Sequence, residues 1–313
     1  MSQVPTSEKI YYKEKYWNEH KLVLEYHSKI LTSFIDKDVF WIEYIKKTYF
    51  YANPAKKALF INCGNGWAER DFYKLGIFES CDCFDYSEEL LSQARIEAKE
   101  LPFNYFQTDC NKIEIKPNSY DLIVNVAAMH HVQYIERLNQ ILAKSLKEDG
   151  LYINYDYIGP HRNQYSTEHW NLIKKINDFI PFGLRNENLN KPHLQTMLVD
   201  DPTEAIHSEL ILDNFYRYFN CIERKDLNGG IAYQIMFNNN ELYTNTSESD
   251  FWVNKLIELD ELATNLNLVP PLFSFFIGYP NKKILLNNDF INSRLLLEEQ
   301  SEKKAAENNG IYL

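Results

Sequence analysis

Two glycines one residue apart, Gly64 and Gly66, follow the apolar run ALFIN and precede WAER, which can open a helix. Amides in such a turn point outward, and the missing β-carbons let a ligand approach the backbone, so the turn containing Asn62, Gly64 and Gly66 suits a nucleotide. A tight corner without a ligand would read the same. Asp85 ends a second apolar run roughly 20 residues on, where a carboxylate accepts hydrogen bonds from ribose hydroxyls. Asp109 ends a third run, within reach of an adenine amine. Together these residues describe an adenosine site. Glu69 stands where a dinucleotide turn needs a third small residue, and no GxxxxGK[ST] run exists for a nucleoside triphosphate. An adenosyl ligand without a pyrophosphate remains.

These residues need elements to position them. Strands are expected at KALFIN, SCDCFDY, FNYFQTD, SYDLIVNVA and LYINYDY, with helices between them, and again at FNCIERKDL and PLFSFFIGY. Such alternation implies an α/β fold: a doubly wound, mostly parallel sheet of seven strands with both faces covered. Its ligand crevice lies at the carboxyl ends of the strands. Ser87 is expected to cap the second helix, and Asp149 with Gly150 to close the helix before strand five. The expected division is an N-terminal helical lid (1–54), a cofactor-binding core (55–159), an inserted helical cap (160–210), completion of the sheet (211–282), and a C-terminal helix with a polar tail (283–313).

Composition narrows the function. The 313 residues are 45% apolar and carry a net charge of −11, which opposes nucleic acid and anionic membranes as partners. No apolar run reaches the roughly 18 residues of a membrane span. The opening MSQVPTSEKIYYKEKYW lacks the apolar core of a signal peptide, so a cytoplasmic location is expected. The five cysteines lack paired metal-ligand spacing and read as reduced thiols, with no metal expected.

GNGWAE after strand one, FDYS after strand two, QTDCN after strand three, SYDLIVNVAAMHHV and LKEDGLYI resemble, in order and spacing, the class I S-adenosylmethionine-dependent methyltransferases. Downstream, DYIGPHRNQY, VDDPTEAIHSELIL and ERKDLNGG resemble a bacterial subgroup associated with glycans and secondary metabolites, which extends the likeness to about residue 280. The resemblance implies S-adenosyl-L-methionine as cofactor and a small-molecule or glycan-linked acceptor, methylated at oxygen. It implies cofactor contacts from Asn62, Gly64, Gly66, Asp85, Tyr86, Asp109, Cys110 and Asn125. Two positions depart from the pattern: Phe60 stands where an acid is common, and Asn62 where the first glycine is. Binding of the methionine amine then falls to Glu69 or to carbonyls near Asn125.

A sulfonium is already activated, so the protein must align the nucleophile at roughly 3 to 3.5 Å and exclude water. A sugar hydroxyl also wants a base within hydrogen-bond reach. His131, just after strand four, is the first candidate, with a ring that merely shapes the pocket as the alternative. Asp156 is the second, with the alternative of orienting Arg162 or a histidine. His130, His161, Arg162, Gln164 and His207 are expected around the acceptor, where Arg162 and Gln164 can hold a phosphate or carboxylate. Tyr11, Tyr12 and Trp17 are candidates for a lid. Two other readings compete: a catalytically silent binding subunit of the same fold, and an NAD(P)-dependent oxidoreductase, which Glu69 and the HHV segment disfavour. The sequence sets no oligomeric state.

Overall fold

A computed structural model describes residues 17–309, so Tyr11 and Tyr12 lie outside the described residues. Seven strands form one sheet: β1 (Ala55–Phe60), β2 (Phe78–Asp85), β3 (Phe103–Gln107), β4 (Tyr120–Val126), β5 (Leu146–Tyr157), β6 (Phe219–Asn228) and β7 (Phe273–Pro280). Their order is β3-β2-β1-β4-β5-β7-β6. β1 pairs in parallel with β2 and β4, β2 with β3, and β4 with β5, while β7 runs antiparallel to β5. The chain therefore winds outward from β1 in one direction and from β4 in the other. The crevice at that reversal is where ligands of doubly wound folds bind.

The interior strands β4 and β7 are nearly continuous buried runs, as a sheet covered on both faces requires, while the edge strands β3 and β6 are more polar. Leu59, Phe84, Ile123, Leu142, Tyr152, Phe215 and Phe276 belong to one buried cluster. Each such side chain contributes about 1.5–3 kcal/mol by leaving water. The helices Trp67–Lys74, Glu88–Ala98 and Ile135–Ser145 fall where expected. Ser87 caps the second of them by accepting from the Leu90 amide at 3.3 Å.

One local expectation is corrected. Asp149 and Gly150 do not close a helix: the helix ends at Ser145 and β5 begins at Leu146. Tyr120 pairs with Leu146 but Leu122 with Leu151, so KEDG is accommodated inside β5 as an irregularity. Gly150 is needed there because a β-carbon would lie 2.8 Å from Leu146 Cδ2 and 3.1 Å from the Tyr120 carbonyl oxygen.

The chain divides into two compact units. One contains residues 42–163, 193–225 and 273 onward; the other contains the described residues up to 41 with 164–192 and 226–272. The stretch 160–210 is thus shared between them. In the second unit buried Asp260 accepts from the amides of Gly229, Ile231 and Ala232 at 2.9, 3.2 and 3.2 Å. Trp17 is 1% exposed and packs edge-on to His27 at 5.0 Å, which makes it a core residue of that unit. No helix among the described residues is long and apolar enough to cross a membrane.

Candidate active site

The first unit carries every candidate site residue except Gln164, which lies in the second unit with its Nε2 donating to the Pro192 carbonyl at 3.3 Å. After β1 the backbone takes positive φ at Asn62 (44°), Gly64 (56°) and Gly66 (77°). The Cys63 amide donates to the Phe84 carbonyl at 2.9 Å, binding the turn to β2. Asp85 braces it from the same strand: Oδ2 accepts from the Gly64 amide at 2.9 Å and Oδ1 from the Ser87 amide at 2.8 Å.

The two glycines do different things. A β-carbon at Gly64 would meet no atom within 4 Å, so the space above that residue is open to a ligand. At Gly66 it would fall 2.6 Å from Glu69 Oε1 and 2.8 Å from the Tyr105 hydroxyl. Glu69 is the third residue of the helix Trp67–Lys74, and that position turns its side chain back toward the start of the helix. The result corrects its expected place. Glu69 is 0% exposed, beneath the turn, with no hydrogen bond to either carboxylate oxygen. Burial pushes its pKa up to about 7.

Asp109 follows β3, where its Oδ1 accepts from the Asn111 amide at 2.9 Å and Lys112 pairs with its Oδ2 at 3.2 Å. The Thr108 amide donates to the Asp85 carbonyl at 3.0 Å, so the ends of β2 and β3 are held in register. Tyr86 is 74% exposed, whereas Cys110 is buried and its thiol is pushed up to about 11 by that burial. Asn62, Gly64, Asp85 and Asp109 remain half-buried along one edge of the sheet.

A second cluster occupies the ends of β4 and β5. Asp156 is fully enclosed and accepts from five donors: Asn125 Nδ2 at 2.6 Å, the amides of Ala128, Met129 and Tyr157 at 3.3, 2.8 and 2.7 Å, and His130 Nδ1 at 2.6 Å. A carboxylate so saturated has no lone pair left for a substrate proton. Asp156 therefore fits the orienting alternative, and the histidine it orients is His130. Asn125, also fully buried, serves Asp156 with its side chain.

His131 differs from Asp156 in access, with 35% of its side chain exposed. Its Nδ1 lies 3.2 Å from Thr203 Oγ1, and that hydroxyl donates to Asp201 Oδ1 at 3.0 Å. Glu204, which sequence reasoning missed, sits beside both histidines: its Oε2 is 3.6 Å from His130 Nε2 and 3.7 Å from His131 Nε2. Burial opposes charge on His130, but Asp156 and Glu204 on either side outweigh it and raise its pKa to about 10. Burial and the neighbouring His130 lower that of His131. The visible signal for Glu204 was its segment, DPTEA, in which Asp201 and Pro202 set a turn that carries Glu204 to the two histidines.

The same segment holds the remaining candidates. The Arg162 amide donates to the Ala205 carbonyl at 2.6 Å and its Nη1 to the Pro202 carbonyl at 2.5 Å. Arg162 is 4% exposed, so its guanidinium fixes the DPTEA segment; this corrects the expectation of an anion-binding fork. His161 Nδ1 meets the Ile206 carbonyl, and His207 Nε2 lies 2.5 Å from Glu302 Oε1. His130, His131 and Asp156 are thus brought together, while His161 and His207 form a separate pair 5.7 Å apart between ring centres.

A family model described as a methyltransferase domain matches residues 59–154, the stretch from β1 through the glycine turn, Asp85, Asp109 and His131 to β5. Among solved structures, the chain is similar to an S-adenosylmethionine-dependent methyltransferase from Mesorhizobium loti (16% identity, 72% of this chain, 90% of that one, TM-score 0.44). It is also similar to the YcgJ protein of Bacillus subtilis (17% identity, 75% and 95% covered, TM-score 0.43). A third is a geranyl diphosphate methyltransferase in complex with S-adenosylmethionine (9% identity, 76% and 83% covered, TM-score 0.49). Among curated proteins no sequence matches.

Proposed function

We propose, since residues 59–154 match a methyltransferase domain model, that the chain uses S-adenosyl-L-methionine to methylate an oxygen of a small-molecule or glycan-linked acceptor. The observation that carries the choice of oxygen is His131: a partly exposed imidazole at the end of β4, the strand beside the glycine turn. The residues fit the cofactor. Gly64 leaves an open cradle, and the half-buried carboxylate of Asp85 can also accept from ribose hydroxyls. Asp109 is the corresponding partner for the adenine amine. When bound, the cofactor supplies an electrophilic methyl group on a sulfonium.

The chain's own residues then have distinct tasks. The Asn62–Gly66 turn and Asp85 hold the nucleoside. Asp156 fixes His130, and His130 packs against His131 with ring centres 4.2 Å apart and a tilt of 40°, which orients the exposed ring. Thr203 holds Nδ1 of His131 and leaves Nε2 to take the acceptor's hydroxyl proton. Glu69 acts from below by shaping the turn. The lid role of residues 1–54 and the cap role of 160–210 belong to the same proposal, as does a cytoplasmic location. The net charge of −11 supports an acceptor other than nucleic acid.

Formation of S-adenosylhomocysteine in the presence of hydroxylated glycans and small alcohols tests this reading. Active acceptors should be oxygen nucleophiles, and His131→Ala should lower kcat roughly 10²–10⁴-fold with the cofactor still bound. Turnover only with amines or thiols, unchanged by His131→Ala, would overturn the oxygen assignment. Phe60 favours a second reading, a silent binding subunit. It packs against Phe72 and Phe78 at 5.4 and 5.5 Å, where the resemblance leads one to expect an acid for the methionine amine.

A further inference from the structure

The hydrogen bonds around His130 and His131 fix which ring nitrogen each turns toward Glu204. Asp156 already accepts from four other donors, so His130 donates to it through Nδ1 and turns Nε2 toward Glu204. Thr203 spends its hydroxyl proton on Asp201, so its oxygen accepts from His131 Nδ1, which turns Nε2 of His131 toward Glu204 as well. Nε2 of each ring then faces one carboxylate oxygen, Glu204 Oε2, at 3.6 and 3.7 Å. These gaps are too long for hydrogen bonds. Three potential ligand atoms converging in this way can enclose a cation.

We propose that His130 Nε2, His131 Nε2 and the Glu204 carboxylate form a binding site for a divalent transition-metal ion, zinc being the best match to the ligand set. One ligand atom from each of the three residues lies within 4.8 Å of the others. Tetrahedral zinc with bonds of about 2.0–2.2 Å needs ligand atoms roughly 3.3–3.6 Å apart, so the measured gaps of 3.6 and 3.7 Å need close by at most a few tenths of an ångström. The outer partners are those of protein zinc sites, a carboxylate behind one imidazole and a hydroxyl behind the other. The second His/Glu group, His161, His207 and Glu209, also comes within 4.8 Å, but its ring nitrogens are engaged elsewhere. His207 Nε2 is spent on Glu302 and His161 Nδ1 on the Ile206 carbonyl.

Three protein ligands leave a fourth position, and the exposed side of His131 opens it to water or to an acceptor oxygen. In that case the ion, rather than bare Nε2 of His131, lowers the pKa of the bound hydroxyl. This role rests on the proposed function; binding of the ion does not. The full chain, stripped with EDTA, should bind one zinc per protein in calorimetric titration, and cobalt should give the visible absorption of a tetrahedral site. Glu204→Gln and His131→Ala should each weaken zinc at least about 10-fold, Thr203→Val by about 10-fold, and His161→Ala not at all. Circular dichroism checks that each variant is folded.

No zinc binding by the wild type would overturn the site. Equal binding by wild type, Glu204→Gln and His131→Ala would mean an adventitious ion only and would overturn it too. Titration of the same samples with S-adenosylhomocysteine separates the two failures. Cofactor binding without zinc sinks the metal site alone, and zinc binding without cofactor sinks the methyltransferase reading alone.

Discussion

At the scale of single residues, Glu69 gives the sharpest energetic consequence. Its folded pKa of about 7 exceeds the ordinary 4.5 because burial disfavours the charged form. Between those two pH values the native state keeps a proton that the unfolded chain has lost, so unfolding free energy falls as pH rises through that window. Glu69→Gln should abolish the decline and stabilise the protein above pH 7 by on the order of 2–3 kcal/mol, measured by urea unfolding from pH 5 to 8. A variant less stable than wild type at pH 8 would show that the carboxylate is paired. The sequence disclosed Glu69 as an obstacle to a dinucleotide turn, but its direction depends on a helix start that only the fold defines. Likewise His130, His131 and Asp156 were legible as candidates from their place after strands four and five. Which of them is enclosed was not, because it follows from amides of the β4 loop closing on Asp156.

At the scale of elements, the glycine turn separates backbone need from ligand need. Gly66→Ala puts a methyl group against Glu69 and Tyr105 at positive φ, and should destabilise the fold by roughly 2–4 kcal/mol. Gly64→Ala meets open space, so it should cost only about 1 kcal/mol while its β-carbon fills the ligand cradle. Thermal melts paired with S-adenosylhomocysteine titration distinguish the two, and equal loss of stability in both variants would contradict this division. A further contact between elements joins the helix Asn288–Asn309 to the start of Ile135–Ser145. Glu298 accepts from the Glu136 and Arg137 amides at 2.6 and 3.0 Å. Glu298→Ala removes an acceptor equivalent to an N-cap and should cost about 1–2 kcal/mol in chemical unfolding; no change would show that water replaces it. Most strands were legible because apolar stretches bounded by polar turns announce them, whereas β6, FNCIERKDLN, is largely polar. The strand segment Leu146–Asp149 was not, since LKEDG has the residues of a helix end and pairs only because Tyr120 lies opposite. Glu204 and Thr203 escaped for a related reason: their meeting with His130 and His131 joins segments some 70 residues apart.

At the scale of the whole molecule, the strand order places β1 at the centre, flanked by β2 and β4. That order follows from crossover geometry and is invisible in any single motif, yet it brings Asp85 and Asp109 to one side of the glycine turn and His131 to the other. The central claim is that this edge holds S-adenosylmethionine, and calorimetric titration with S-adenosylhomocysteine tests it most directly, using the wild type and Asp85→Ala. The expected result is saturable one-to-one binding by the wild type, weakened about 10-fold or more by the substitution because a charge-assisted hydrogen bond is worth about 1.5–3 kcal/mol. Absence of binding by folded wild type, or binding unchanged in Asp85→Ala, would contradict the account.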